Sequence, residues 1–146
     1  SLKYYEQSNE LLPQQYYTVR PLLGLYLQKG LLEKAASLTE TFFEMDPKNP
    51  TVYNDLSQLY YNAQKLTLLN DFYEKQKKKY KKDNEVMGSL LLYQANIAED
   101  NIQARKFYQE AEGYFSKVFK KDHQIFEIIR KAIAETEKDV PEKETD

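Results

Sequence analysis

The chain has 146 residues, of which 41% are hydrophobic and 30% charged, and its formal net charge is −2. This apolar content is enough for a folded domain, and the charge gives no overall attraction to nucleic acid or to an anionic membrane. The absence of cysteine excludes disulfides, thiolate zinc sites and cysteine nucleophiles. Only four glycines and five prolines occur, which favours helices with short connections.

Two helices are predicted at the start of the chain, at residues 2–12 and 14–28. The second contains Pro21. Proline removes an amide donor and crowds the preceding helical turn. We therefore expect this helix to begin near Thr18, with Pro21 in its first turn; a bend at Pro21 is the alternative.

Residues 22–47 predict two amphipathic helices joined by a tight turn. Gly30 interrupts the apolar repeat of the first helix, and the second covers residues 31–45 before Asp46 and Pro47 end it. Helices of this length cannot bury enough apolar surface by themselves. They require neighbours of similar shape.

Cap patterns indicate where the later helices begin. Asn49 precedes Pro50, and Asp83 precedes Asn84, as at the start of many helices. The predicted helices are 51–63, 66–82, 85–98, 101–121 and 123–138. Asp122 is expected to cap the last one, and the charged tail at 139–146 is expected to be disordered.

A spacing of 34 residues recurs along the chain and links similar side chains. The pairs at this distance are Pro13 and Pro47, Tyr26 and Tyr60, and Ala35 and Leu69. A helix–turn–helix unit of 34 residues is the period of tetratricopeptide repeats, and the chain resembles that family.

The resemblance extends to single positions of the family pattern, W-x₂-L-G-x₂-Y followed by Ala, an aromatic residue and Pro. The matching residues are Leu22, Tyr26, Ala35 and Pro47 in the first repeat, Tyr53, Leu56, Tyr60, Leu69 and Tyr73 in the second, and, after a one-residue slip, Leu91, Leu92, Ala104, Tyr108 and Ala111 in the third. The first repeat departs from the pattern: Val19 replaces the tryptophan, the glycine is displaced to Gly24, and Thr39 takes the aromatic place.

The resemblance implies an all-α fold, a right-handed helical-repeat solenoid of about three helix pairs. The repeats would cover about residues 16–49, 50–83 and 84–121 of a domain spanning 1–138. A half-repeat would precede them and a capping helix at 123–138 would follow. The chain would then be a fragment of a longer protein.

The resemblance also implies a binding site, because the first helices of such repeats line a concave groove that holds an extended peptide or a partner helix. The corresponding side chains are polar and aromatic, which suits a peptide backbone and apolar side chains. They are Tyr17, Arg20 and Leu27 in the first repeat, Thr51, Asn54, Asp55, Gln58, Tyr61 and Asn62 in the second, and Ser89, Tyr93 and Asn96 in the third. We therefore expect a non-catalytic protein–protein interaction module, with an unliganded solvated face as the alternative.

Residues 75–82, KQKKKYKK, contain six lysines in eight positions. They favour a second hypothesis, an RNA- or other polyanion-binding helical-repeat protein. A solvated helix end is the simpler interpretation, because cations suit the negative end of the helix dipole. The acidic net charge disfavours nucleic acid and membrane partners.

No pattern for catalysis occurs: the chain has no G-x-S-x-G, P-loop, dinucleotide-binding or H-E-x-x-H sequence. Its single histidine, His123, is expected at the surface near a helix start. We therefore expect no enzyme activity, cofactor, metal or small-molecule substrate. A third hypothesis is a regulatory or structural segment of a larger enzyme or membrane-anchored protein. The compartment stays open between the cytoplasm and the soluble part of an envelope protein.

Overall fold

The computed structural model describes residues 2–11 and 16–138, which form eight α-helices and no strand. The helices are α1 (Leu2–Leu11), α2 (Tyr16–Gln28), α3 (Leu32–Met45), α4 (Pro50–Asn62), α5 (Leu66–Lys79), α6 (Asn84–Asn96), α7 (Asn101–Phe115) and α8 (Gln124–Lys138). The expected all-α class is confirmed. Pro13, the expected helix start at Gln14 and the tail at 139–146 lie outside the described residues.

The helix boundaries repeat every 34 residues. The helices α2, α4 and α6 begin at residues 16, 50 and 84, and they end at 28, 62 and 96. The helices α3 and α5 begin at 32 and 66 and end at 45 and 79. The 34-residue spacing would place the start of α7 at residue 100, but α7 begins at 101. The family-like sequence pattern of the third repeat is shifted by one residue in the same way. The period of the apolar pattern is therefore also a period of secondary structure.

The turns after α2 and α4 share one backbone geometry. The carbonyl of Tyr26 accepts from the N–H five residues on (2.9 Å), and the carbonyl of Tyr60 does the same (2.8 Å). This bond belongs to the Schellman type of helix end, which needs one residue with a positive φ. Gly30 takes that position at φ 73°, and Gln64 takes it at φ 59°.

Side-chain caps begin three of the helices. The side chains of Asn49, Asp83 and Asp100 accept from backbone N–H groups in the first turns of α4, α6 and α7 at 2.9, 3.1 and 2.8 Å. Pro50 is the first residue of α4, where its missing N–H leaves no bond unmade. These caps fix where α4, α6 and α7 begin.

Pro21 lies inside α2, which begins at Tyr16 rather than near Thr18. Its ring removes the amide that would donate to the carbonyl of Tyr17. Tyr17 is 60% exposed, so water can satisfy that carbonyl. The proline is tolerated because the lost bond lies in the first turns of the helix.

Two helices end three or more residues earlier than the sequence predicts. α5 ends at Lys79, because the chain turns there to bring Asp83 to the start of α6. α7 ends at Phe115: the hydroxyl of Ser116 donates to the carbonyl of Gly113 (2.7 Å), and the N–H of Lys117 donates to Tyr114 instead (3.1 Å). The predicted extensions to 82 and 121 are wrong. After α5 the N–H of Asp83 donates to the carbonyl of Tyr80 (2.8 Å), and after α7 the bonds of Ser116 and Lys117 replace helical ones.

The chain divides into two compact units, Ser1–Phe72 and Tyr73–Asp146, with the boundary inside α5. In the first unit, α2 packs against α1, α3 and α4. Phe43 is fully buried and meets Tyr53 and Phe72 edge-to-face, with ring centroids 5.6 and 5.5 Å apart. Such pairs add about 0.5–1.5 kcal/mol each to the burial of their surface.

The second unit is organised around α6 and α7, which pack closely. Gly88 permits this approach, because a Cβ at that position would lie 2.7 Å from the ring of Phe115. α8 packs against α7, burying Ile129 completely, and Arg105 Nε donates to Thr136 Oγ1 (3.3 Å). The last helix thus covers one side of α7.

One polar contact between helices recurs at the same position of each pair. The bonded atoms are Tyr26 Oη and Glu6 Oε2 (3.1 Å), Tyr60 Oη and Thr39 Oγ1 (2.7 Å), and Gln94 Nε2 and Glu74 Oε1 (2.8 Å). In each case a residue of α2, α4 or α6 reaches the preceding helix, 20 or 21 residues earlier. The 34-residue period therefore includes polar contacts as well as helix ends.

Two helical glycines should respond to alanine with opposite signs. A Cβ at Gly113 meets nothing within 4 Å, so Gly113→Ala should raise the free energy of unfolding by about 0.5–1 kcal/mol through helix propensity. Gly88→Ala places a methyl group against the Phe115 ring and should lower the free energy of unfolding by about 1–3 kcal/mol. Urea unfolding followed by circular dichroism measures both, and shifts of the same sign would contradict the packing of α6 on α7.

The Glu74 carboxylate should make stability depend on pH. Burial raises its pKa, but hydrogen bonds from Lys77 and Gln94 outweigh this effect, so the pKa lies below the usual 4.5. Its stabilisation is therefore present above pH 4.5 and lost as the pH falls through the lower folded value. Glu74 is 48% exposed, so Glu74→Gln should cost only about 0.5 kcal/mol at neutral pH.

The measurement is urea unfolding of both proteins at neutral pH and at a pH well below 4.5. The difference between them should disappear in acid. Glu127→Gln is the matched control, because it removes a solvent-exposed ion pair with Lys131 (3.4 Å). An equal Glu74→Gln deficit at both pH values would contradict a contribution from the charged carboxylate.

Candidate functional site

The first unit brings α2 and α4 side by side and parallel. Arg20 of α2 faces Asp55 of α4, and a Cβ on Gly24 would lie 3.4 Å from the Leu59 side chain. Both contacts join residues 35 positions apart, so the two helices advance together in the same direction. The small residue in α2 leaves room for the leucine of α4.

An arginine links the exposed edges of the two helices. Arg20 Nη2 donates to Gln58 Oε1 (3.0 Å), and Arg20 Nε lies 3.4 Å from Asp55 Oδ1. The aspartate side chain is only 14% exposed, which strengthens the pairing relative to an ion pair in open water. Three residues expected to bind a ligand are therefore positioned by one another.

Eight of the predicted groove residues lie on this face, which we call the α2–α4 surface. Its members are Tyr17, Arg20, Thr51, Asn54, Asp55, Gln58, Tyr61 and Asn62. Tyr17 and Tyr61 are 60% and 68% exposed. Since Tyr17 is level with the start of α4, the two rings lie about 13 Å apart along the helix axes.

The remaining four predicted groove residues are not all exposed. Leu27 is 1% exposed and belongs to the core stripe of α2 with Leu23. Tyr93 is 9% exposed, and burial raises the pKa of its hydroxyl. Ser89 is half-buried, and the side-chain oxygen of Asn96 accepts from the Tyr108 hydroxyl (2.6 Å).

The sequence contains the signal that α6 differs from α2 and α4. Residues 90–92 are three consecutive leucines, which leave the middle of the helix without a polar face. A helix that is apolar on all sides is normally buried. Helical spacing alone does not register that α6 is apolar on all sides, so the predicted groove residues on α6 included the buried Tyr93.

The lysine run at 75–82 contains one side chain that behaves unlike the others. Lys77 pairs with Glu74 (2.8 Å), is 17% exposed and lies over the Phe107 ring, 5.4 Å from its centroid. The remaining lysines of the run are exposed. The run is therefore largely a solvated helix end, with one lysine packed on Phe107 of α7.

His123, and not Asp122 as predicted, caps α8 with its side chain. Its Nδ1 accepts from the N–H of Ile125 (3.1 Å), and its ring stacks on Phe119 with centroids 4.1 Å apart. The residue is exposed at the helix start. Over the described ranges, no three His, Asp or Glu side chains lie close enough together to hold a metal ion.

Comparison with protein-family models, with curated proteins and with solved structures gives no significant match to this chain. Among residues 2–11 and 16–138, no helix has the length and apolar character needed to span a membrane.

Two tyrosines test which predicted groove residues are surface and which are core. Tyr61→Ala should change the free energy of unfolding by less than about 0.5 kcal/mol, because the ring is exposed. Tyr93→Ala should lower it by about 3 kcal/mol, because it leaves a cavity around α6. Urea unfolding measures both, and equal effects would contradict this division of the groove.

Proposed function

We propose that the chain is a non-catalytic protein-interaction module of the tetratricopeptide-repeat type, folded as a right-handed solenoid of about three helix pairs. The support is the 34-residue period of the helix ends and of the turns at Gly30 and Gln64. Family-like residues occur at the matching positions of each pair. Short helices of such a repeat bury their apolar stripes against neighbouring repeats.

The α2–α4 surface is the proposed binding site, and its carrying observation is the pair of exposed tyrosines at its two ends. An extended peptide rises about 3.3 Å per residue, so four residues span the roughly 13 Å between Tyr17 and Tyr61. Side chains at i and i+4 of a strand point to the same side. The ligand is therefore an extended peptide with apolar side chains four residues apart.

Amide side chains between the tyrosines suit the backbone of that peptide. Asn54 and Asn62 are exposed, and Gln58 keeps its NH₂ group available while its oxygen accepts from Arg20. Each amide offers a donor and an acceptor to a peptide group. The expected contribution is about 1 kcal/mol per bond and about 2 kcal/mol for a buried tyrosine anchor.

The test is selection of random peptides displayed on phage against the whole chain. Bound peptides should be enriched in apolar residues at four-residue spacing. The variant Asn54→Ala with Tyr61→Ala should bind them about a hundredfold more weakly, from the sum of about 3 kcal/mol. Unfolding measurements should show unchanged stability.

Matched controls separate this site from other exposed groups. Tyr4→Ala removes a tyrosine of similar exposure (63%) on α1 and should leave binding unchanged. Replacing Lys75, Lys78, Lys81 and Lys82 by alanine tests the RNA- or polyanion-binding alternative, whose support is the exposure of these lysines. Loss of binding in the lysine variant, with strong salt dependence, would favour that alternative. Unchanged binding by the Asn54/Tyr61 variant would exclude the α2–α4 surface.

A further inference from the structure

A recess in the second unit lies beside α7 and is separate from the α2–α4 surface. Its volume is about 450 Å³, and the buried side chains of Met87 and Leu91 line it. Gly113 also lines it, and a Cβ at that position would meet no atom within 4 Å. The recess therefore has an apolar lining, and the space beside Gly113 is open because glycine has no side chain.

Two opposite charges border this recess, one on α7 and one in the turn that follows it. Glu110 has no hydrogen bond or ion pair with the rest of the described chain. Lys117 lies over the Tyr114 ring (5.0 Å to the centroid) and has no carboxylate partner in the same part of the chain. The two charged residues are seven positions apart in the chain, and Lys117 lies two residues beyond the end of α7. The third charged group, Lys77, is already neutralised by Glu74.

The recess suits a peptide better than a nucleic acid. Single-stranded nucleic acids bind by stacking bases on open aromatic faces and by placing phosphates on cations. Here lysines lie over the rings of Tyr114 and Phe107, and Glu110 would repel a phosphate. An aliphatic lining takes an apolar side chain without leaving polar base edges unpaired.

A second recess continues the same surface toward the start of α7. Its volume is about 530 Å³, and it shares Lys77 and Glu110 with the first. Ile102, which is 78% exposed, lines it. An extended segment of several residues therefore has a continuous surface along α7.

We propose that this recess binds a peptide segment of a partner protein with one large apolar side chain flanked by a basic and an acidic residue. The apolar side chain fills the space beside Gly113. The basic residue pairs with Glu110, and the acidic residue pairs with Lys117.

The probes are short fluorescein-labelled peptides with a central phenylalanine, measured by fluorescence anisotropy against the whole chain. One peptide carries a lysine on one side of the ring and a glutamate on the other; two others carry only lysines or only glutamates. A fourth replaces phenylalanine by alanine in the mixed peptide, and a fifth probe is an oligothymidylate. The mixed phenylalanine peptide should bind about tenfold more tightly than the other four.

Two variants test the two halves of the proposal. Gly113→Leu fills the recess with a side chain that meets open space and favours the helix, so the protein should stay folded and lose at least about tenfold in affinity. Lys117→Glu makes both border charges negative and should switch the preference to the lysine-only peptide. Lys131→Glu, an exposed site on α8, is the matched charge control and should change nothing.

The outcomes separate cleanly. A specificity switch in Lys117→Glu together with loss of binding in Gly113→Leu supports the proposal. Equal binding of the phenylalanine and alanine peptides, tighter binding of the glutamate-only peptide or of oligothymidylate, or no binding of the mixed peptide would overturn it. Unchanged affinity in Gly113→Leu, at wild-type or higher stability, would also overturn it.

Discussion

Burial of an apolar stripe against neighbouring helices is the constraint on which this structure depends. The described helices have between 10 and 15 residues, a length at which an isolated helix is marginal in water. The helices α2 and α4 therefore keep Leu23 and Leu56 fully buried, while Tyr17 and Tyr61 on their other sides are exposed. Each helix presents a polar, exposed side only because its opposite side is buried against neighbours.

The same constraint explains how polar residues enter the core. Thr39 is polar, yet it is fully buried. Its hydroxyl donates to the carbonyl of Ala35 (2.7 Å) and accepts from the Tyr60 hydroxyl (2.7 Å), so neither group is left unpaired. Gln94 and Glu74 form the corresponding contact one period later. Buried polar contacts with all partners satisfied favour one arrangement of the packed helices over others, which apolar contacts alone do less strongly.

The sequence predicted the all-α class and the approximate positions of the described helices because its informative features were local. Apolar spacing located all eight helices, and short polar side chains before them, as at Asn49 and Asp83, located their starts. Helix ends were less predictable. The end of α7 depends on the Ser116 hydroxyl taking a carbonyl from the backbone ladder, which a hydrophobic pattern does not record.

The candidate sites were only partly predictable, since exposure depends on neighbours distant in sequence. Helical spacing selected Asn54 and Tyr61, which are exposed. It also selected Leu27, whose side chain is buried in the core by the packing of α2. The recess beside Gly113 was missed, because a glycine in a helix pattern gives no sign of what faces it. Lys77 was grouped with its neighbours although its position over Phe107 sets it apart.

The two Schellman turns have the same shape but not the same intrinsic strain. At Gly30 the left-handed backbone is free of steric penalty, whereas at Gln64 the Cβ makes it unfavourable by about 1 kcal/mol. The turn between α4 and α5 is therefore held by its surroundings more than by its own preference. Local opening should begin there sooner than at the turn after α2, and amide hydrogens around Gln64 should exchange with deuterium faster than those around Gly30.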